Sequence, residues 1–335
     1  MTELLKVHGS QNSFFILDQT TLANELSDDQ LRQLAKQVTD HQKGLLGGAD
    51  GLLVVNHPTR EGASAQMRVI NADGSEASMC GNGLRTVARY LAERDHRTTF
   101  KVDTMNSNLQ VRQADNLAAS VPAFAVEISP VHFDKAALPF DHLGHDRLLG
   151  TMVPELAPQL TFSAIAVPNP HLISFVSQAV IEGPLLGELG AYLNGDNPYF
   201  SDGVNVNFAQ ILGPNKLFVR TFERGVGFTN ACGTGMSATT LAFVLLHANQ
   251  AAFNEPITVY NPGGMVKTIV HFAAGHYWIE LIGNATFTHR ITVGEAALHA
   301  GHVTADNSTI NPTGEQEAYE QFIHQLPSFN LSVKD

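Results

Sequence analysis

Two short segments of this chain place a cysteine directly before a Gly-x-Gly step: Met79-Cys80-Gly81-Asn82-Gly83 and Ala231-Cys232-Gly233-Thr234-Gly235. The chain contains 2 cysteines in all. Each motif runs into a helical pattern, NGLRTVARYLAER in the first case and GTGMSATTLAFVLLHAN in the second. A thiol at a helix start meets unbonded backbone N–H groups and the positive end of the helix dipole. It is therefore expected to ionise more readily than a free cysteine. The glycines clear side chains from those amides, so a carboxylate can approach and be gripped. Each motif makes one half-site, and two suit inversion at an amino-acid α-carbon, which needs a base on one face and an acid on the other. The α-proton beside an ionised carboxylate is very weakly acidic, so aimed donors in a dry cavity must meet the developing charge.

Blander explanations exist for each cysteine alone. A single cysteine is ordinarily a small core residue, and a disulfide between distant cysteines is disfavoured in a reducing compartment. A glycine-rich turn could hold a phosphate, but neither segment carries the Walker Lys-Ser/Thr pair or the longer Rossmann spacing. Recurrence of the whole pattern favours the chemical reading.

The elements that must position these thiols read as mixed α and β. Strand-like runs include FFILD (14–18), GLLVVN (51–56) and FAVEIS (124–129), alternating with helical stretches such as TLANELSDDQLRQLAKQV. In that stretch Leu22, Leu26, Leu31, Leu34 and Val38 mark one apolar face. Residues 130–170 are rich in Pro, His and Leu with weak periodicity, as expected of a crossing between domains, and the boundary is placed near residue 128. A second round follows: FSAIAVP (162–168), HLISFV (171–176), VNVNFAQIL (204–212) and KLFVRTFE (216–223), then a helix apolar almost all round and expected to be deeply buried. Both halves thus run strands, Cys-Gly-x-Gly, helix. The tail after about residue 300 is polar, with one short amphipathic helix around EAYEQFIHQL.

Bulk properties agree with a soluble globular protein. At 335 residues the chain suits two domains, and 44% hydrophobic against 16% charged residues, with 19 Phe, provides ordinary cores. The formal net charge of -12 works against nucleic-acid or anionic-membrane partners. No start resembling a signal peptide and no apolar run of about 18 residues is found, so a cytoplasmic location is expected. Neither cysteine has metal-ligand spacing.

Taken in order, HGSQNSF, NADGSE, CGNG, NPH, ERG, ACGTG and PGG resemble the diaminopimelate epimerase family across nearly the whole chain. The resemblance implies an α/β (α+β) fold of two pseudo-symmetric lobes, each a mostly antiparallel sheet wrapped around a central helix, with the site in the cleft between them. The first lobe would be residues 1–128 plus about 285–300, the second 129–284, and 301–335 an extension. It implies that Cys80 and Cys232 are the acid and base, Cys232 deprotonating the LL substrate and Cys80 protonating the opposite face. Gly81, Asn82, Gly233 and Thr234 would bind the reacting carboxylate. Asn12, Asn71, Asn169, Asn205, Glu223 and Arg224 would hold the other polar groups, Arg224 taking the distal carboxylate, and His171 with Glu223 would tune the thiols.

The implied activity is interconversion of LL- and meso-diaminopimelate, feeding lysine and peptidoglycan precursors. It would need no cofactor, pyridoxal phosphate or metal, and would act on a small amino acid with two carboxylates in a homodimer. Two positions depart from the family pattern: Gly51 stands where Gln is usual, and Phe228 where an acidic residue is usual. Both would bear on distal recognition rather than on the thiols. The alternatives are a proline-, hydroxyproline- or histidine-type racemase of the same fold, for which Arg224 would lack a partner, and a redox-sensing amino-acid-binding protein whose thiols form a reversible disulfide.

Overall fold

The computed structural model describes residues 1–327 and 329, in two compact units. Unit 1 comprises Met1–Val126 and Ile282–Gln325; unit 2 comprises Glu127–Leu281 and the described residues 326, 327 and 329. Among the described residues no helix is long and apolar enough to cross a membrane.

Within unit 1 the strand Thr2–Gly9 turns tightly into Asn12–Asp18, which pairs parallel with Gly51–Asn56. That strand is antiparallel to Ala63–Asn71, which pairs parallel with Thr99–Asp103. The antiparallel strand Asn108–Ala118 follows. On the other side Thr2–Gly9 takes Thr286–Val293 and, beyond it, Ser308–Pro312. The helix Gly81–Asp95 occupies the crossover into Thr99–Asp103 and buries residues 81–89, Leu91 and Ala92. Its Leu84, Val87 and Leu91 are fully buried, and burying an aliphatic side chain of that kind contributes roughly 1.5–3 kcal/mol.

Unit 2 repeats the order. Thr161–Ala166 is antiparallel to Pro170–Phe175, which is parallel to Asn205–Gly213. Then come antiparallel Lys216–Glu223, parallel Pro256–Asn261 and antiparallel Gly264–Ala273. Helix Gly233–Leu246 fills the same crossover, and all its residues from Gly233 to Val244 are buried, as its all-round apolar pattern requires.

Two expectations change, and the short helix expected in the tail is found. The first helix begins at Asp28, because Ser27 caps it in a reciprocal box with Gln30; Leu22 and Leu26 therefore precede the helix, and Leu26 is buried from outside it. The region expected to be a crossing between domains is part of unit 2's core: Leu138, Phe140, Leu143, Leu148 and Val153 are buried together without any period. The polar tail contributes strand Ser308–Pro312 and helix Glu315–His324 to unit 1, burying Tyr319 and Phe322. Residues 328 and 330–335 of the expected extension lie outside the described residues.

Candidate active site

Cys80 is the N-cap of helix Gly81–Asp95, in an extended conformation, and its sulfur accepts the Gly83 N–H at 3.4 Å. Gly81 and Asn82 occupy the first turn, where the N–H groups have no intrahelical acceptor. The half-buried thiol also reaches Asn12 Oδ1 at 3.7 Å, and the same oxygen accepts Asn82 Nδ2 at 3.3 Å. Asn12 begins its strand straight after a two-residue turn in which Ser10 and Gln11 both take positive φ (53° and 66°). A hairpin turn of that hand matches the twist of the strands it joins. Asn12 Nδ2 donates to Asp50 Oδ2 at 2.7 Å, and the Ser13 N–H reaches the same oxygen at 2.8 Å.

Asn71 ends its strand opposite Gly51 and donates from Nδ2 to Ser75 Oγ at 2.9 Å, so it also anchors the turn that leads to Cys80. A Cβ on Gly51 would stand 2.7 Å from the Ile70 carbonyl oxygen, so no side chain fits there while the backbone stays in place.

In unit 2 the arrangement is deeper. Cys232 is the N-cap of helix Gly233–Leu246 and only 5% exposed, with Thr234 Oγ1 3.6 Å from its sulfur. Burial pushes this thiol well above the ordinary cysteine range, and the Glu223 carboxylate adds to the effect. The Thr234 hydroxyl and Gly235 N–H act the other way. For Cys232 this corrects the expectation of easier ionisation: desolvation of a thiolate outweighs the dipole of one helix end.

Register explains which side chains share a face with Glu223, which acts on this thiol. His171 pairs with Asn205, Asn207 with Thr221, and Thr221 with Thr229, so these odd-numbered residues share one face with Glu223. Thr221 Oγ1 donates to Asn207 Oδ1 at 2.9 Å, leaving Asn207 Nδ2 to donate to His171 Nδ1 at 3.1 Å. The imidazole proton is thereby assigned to Nε2, which donates to Asn169 Oδ1 at 3.2 Å. His171 is fully buried and its pKa is lowered to about 3, first by desolvation and then by Arg224, so the ring is neutral. Thr229 Oγ1 donates to Glu223 Oε1 at 2.5 Å.

Asn205 accepts the Arg224 N–H at 2.9 Å and donates to the Pro170 carbonyl at 3.0 Å, fixing the backbone on which Arg224 stands. The exposed Arg224 guanidinium donates to the Asp202 carbonyl at 2.8 Å and meets no carboxylate among the described residues.

Phe228 pairs with Phe222 on the opposite face, where Arg220 lies over its ring at 4.3 Å. Its departure from the family pattern is therefore turned away from Glu223 and Thr229.

Sequence reasoning missed Asp50, Asn207, Thr221 and Thr229. One signal was present: Asn205 and Asn207 alternate inside an apolar strand, which puts two polar groups on one face of a buried sheet. The repeat also extends further than the cysteines. Gly51 and Asn205 hold equivalent register positions, as do Asn71 and Glu223, and each of the latter stands nine residues before its cysteine.

A sequence profile described as Diaminopimelate epimerase matches residues 4–122 and 163–288. A diaminopimelate epimerase of Ligilactobacillus salivarius (strain UCC118) is 56% identical over 97% of this chain and 99% of its own length. One of Enterococcus faecalis (strain ATCC 700802 / V583) is 52% identical over 96% and 97%. Among solved structures, a Bacillus anthracis phenazine biosynthesis protein of the PhzF family superposes with a TM-score of 0.62, covering 86% of this chain and 97% of that one. At 15% identity it speaks for the fold alone.

Proposed function

The chain belongs to the diaminopimelate epimerase family, and on that premise we propose that it interconverts LL- and meso-2,6-diaminopimelate by proton transfer between two thiols. Cys232 takes the α-proton of the LL substrate and Cys80 returns a proton to the opposite face; the reverse reaction exchanges the roles. The N–H groups at Gly81, Asn82, Gly233 and Thr234 hold the carboxylate whose α-carbon reacts and stabilise the charge that develops on it. Arg224 pairs with the distal carboxylate. Asn12, Asn71, Asn169, Asn205 and Glu223 serve the remaining polar groups of a substrate whose charges must all be met out of water.

Carrying this reading is one observation: both cysteines N-cap a buried helix at equivalent points of a repeated strand order. A deeply buried thiol that holds its proton tightly is a strong base once ionised. The ammonium of a bound amino acid supplies the countercharge that ionisation needs. A substrate with a single carboxylate would give Arg224 no anion to bind.

Incubation with LL-diaminopimelate in deuterated water tests the reaction, with deuterium expected at the α-carbon of both isomers. Cys80→Ala and Cys232→Ala are each expected to lower epimerisation by about 10³-fold or more. A folded variant with full activity would refute the two-thiol chemistry. We place this activity in a cytoplasmic homodimer, and a monomer mass by light scattering at assay concentration would remove the dimer.

A further inference from the structure

Asp50 precedes strand Gly51–Asn56 and is linked to Cys80 through Asn12, which contacts both. An amide side chain can present either its oxygen or its NH₂ to a neighbour, and here the choice is forced. An ionised carboxylate only accepts hydrogen bonds, so Asp50 Oδ2 selects Asn12 Nδ2 at 2.7 Å. The Ser13 N–H at 2.8 Å holds that carboxylate oxygen in place from the adjoining residue. Asn12 Oδ1 is thereby turned to the sulfur, 3.7 Å away, where it accepts the S–H while Asn82 Nδ2 donates to it from 3.3 Å.

We propose that Asp50 is a positioning residue that locks the Asn12 amide with its oxygen toward Cys80 and so keeps the resting proton on that thiol. The proposal rests on the reading of Cys80 as the acid of the LL-to-meso direction, which requires it to start protonated. Without the carboxylate the shorter of the two bonds that orient this amide is gone, and Asn12, turning together with the Asn82 amide, can present its NH₂ to the sulfur, which favours the thiolate instead.

Other titratable groups near this end of the helix are Arg85 on the helix itself, which interacts electrostatically with Cys80, and His8 and Tyr319 around Arg85. Lys6 feels Asp50, and Asp73 sits in the neighbouring hairpin bound to Ser75. All are common to the variants below.

In full-length Cys232→Ser protein Cys80 is the sole thiol, so its titration can be read from the pH dependence of iodoacetamide alkylation, followed by intact mass. Asp50→Leu is expected to lower the midpoint by about one pH unit, which is about tenfold more thiolate well below the midpoint. Asp50→Asn can still accept from Asn12 and Ser13 through its amide oxygen and is expected to titrate with the parent. Asn12→Ala removes the acceptor itself and should reproduce the shift. Adding Asp50→Leu to it should then change nothing more.

An unmoved midpoint in both Asp50→Leu and Asn12→Ala overturns the proposal. So does an equal shift in Asp50→Asn and Asp50→Leu, which would make the effect one of charge. Alkylation needs no turnover, so a chain without epimerase activity would still report on the amide lock.

Discussion

At the scale of single residues, the two thiols sit in unequal surroundings. Cys80 is half-buried against an amide oxygen and one backbone N–H, whereas Cys232 is enclosed with the Glu223 carboxylate acting on it. Deprotonation of Cys232 adds a second negative charge to a dry site. Its base form is therefore present only at pH above an already raised value, and kcat/KM for the LL substrate should still be climbing in the alkaline range where a free thiol would have levelled off. Glu223→Gln keeps the shape of the side chain and removes the charge. In Cys80→Ser protein it should shift the alkylation midpoint of Cys232 downward by about one unit, and an unchanged midpoint would separate Glu223 from the thiol's ionisation.

Among the elements, the two cysteine-capped helices differ in how closely their glycines are packed. A Cβ on Gly235 would fall 2.3 Å from Asn207 Oδ1 and 3.2 Å from Cys232 Sγ, whereas on Gly83 it would meet the flexible end of Leu53 at 2.8 Å. Gly235→Ala should therefore push Asn207 away from Thr221 and His171. The expected cost is about 1–3 kcal/mol of stability together with a loss of kcat. Gly83→Ala should cost less on urea unfolding. Helix Glu315–His324 is tied by Glu315, which takes Arg89 through both oxygens at 2.6 and 2.7 Å and accepts the Phe287 N–H at 2.9 Å. Glu315→Gln removes the bidentate carboxylate from a mostly buried guanidinium and leaves it the exposed Glu93 carboxylate, 2.7 Å from Nε; a loss of about 1.5–3 kcal/mol is expected, with hydrogen exchange rising first in the Glu315–His324 helix.

These elements also mark what could be read from residues alone. Strand Gly51–Asn56 was legible because the apolar run Leu52–Val55 follows a glycine, and Lys216–Glu223 because Leu217, Phe218, Val219 and Phe222 cluster before the Glu223-Arg224 pair. The cysteine helices were legible because Gly-x-Gly precedes a helical period. Leu138 to Val153 were not, since core residues on irregular chain carry no period. Asp50 and Asn207 were missed for another reason: their partners, Asn12 and His171, lie 38 and 36 residues away, and only sheet register brings them together.

At the scale of the whole molecule, each unit holds one buried neutral histidine among the described residues: desolvation lowers His8 in unit 1 to about 4 and His171 in unit 2 to about 3. Between those values and the unfolded value near 6.5 the unfolded chain binds the extra proton. The stability these residues contribute is complete above about 6.5 and lost as pH falls toward 4 and 3, on the order of a few kcal/mol in all. The melting temperature should drop between pH 6.5 and 4, with part of the drop removed by His8→Gln; a flat profile would contradict buried neutral rings. Unit 1 is also discontinuous, closing its sheet with strands Thr286–Val293 and Ser308–Pro312 from the far end of the chain. During synthesis on the ribosome, every strand that surrounds the Cys232 helix has been made before Thr2–Gly9 receives its second neighbour. The half begun first is the half finished last, and until then one edge of its opening strand remains exposed to other nascent chains.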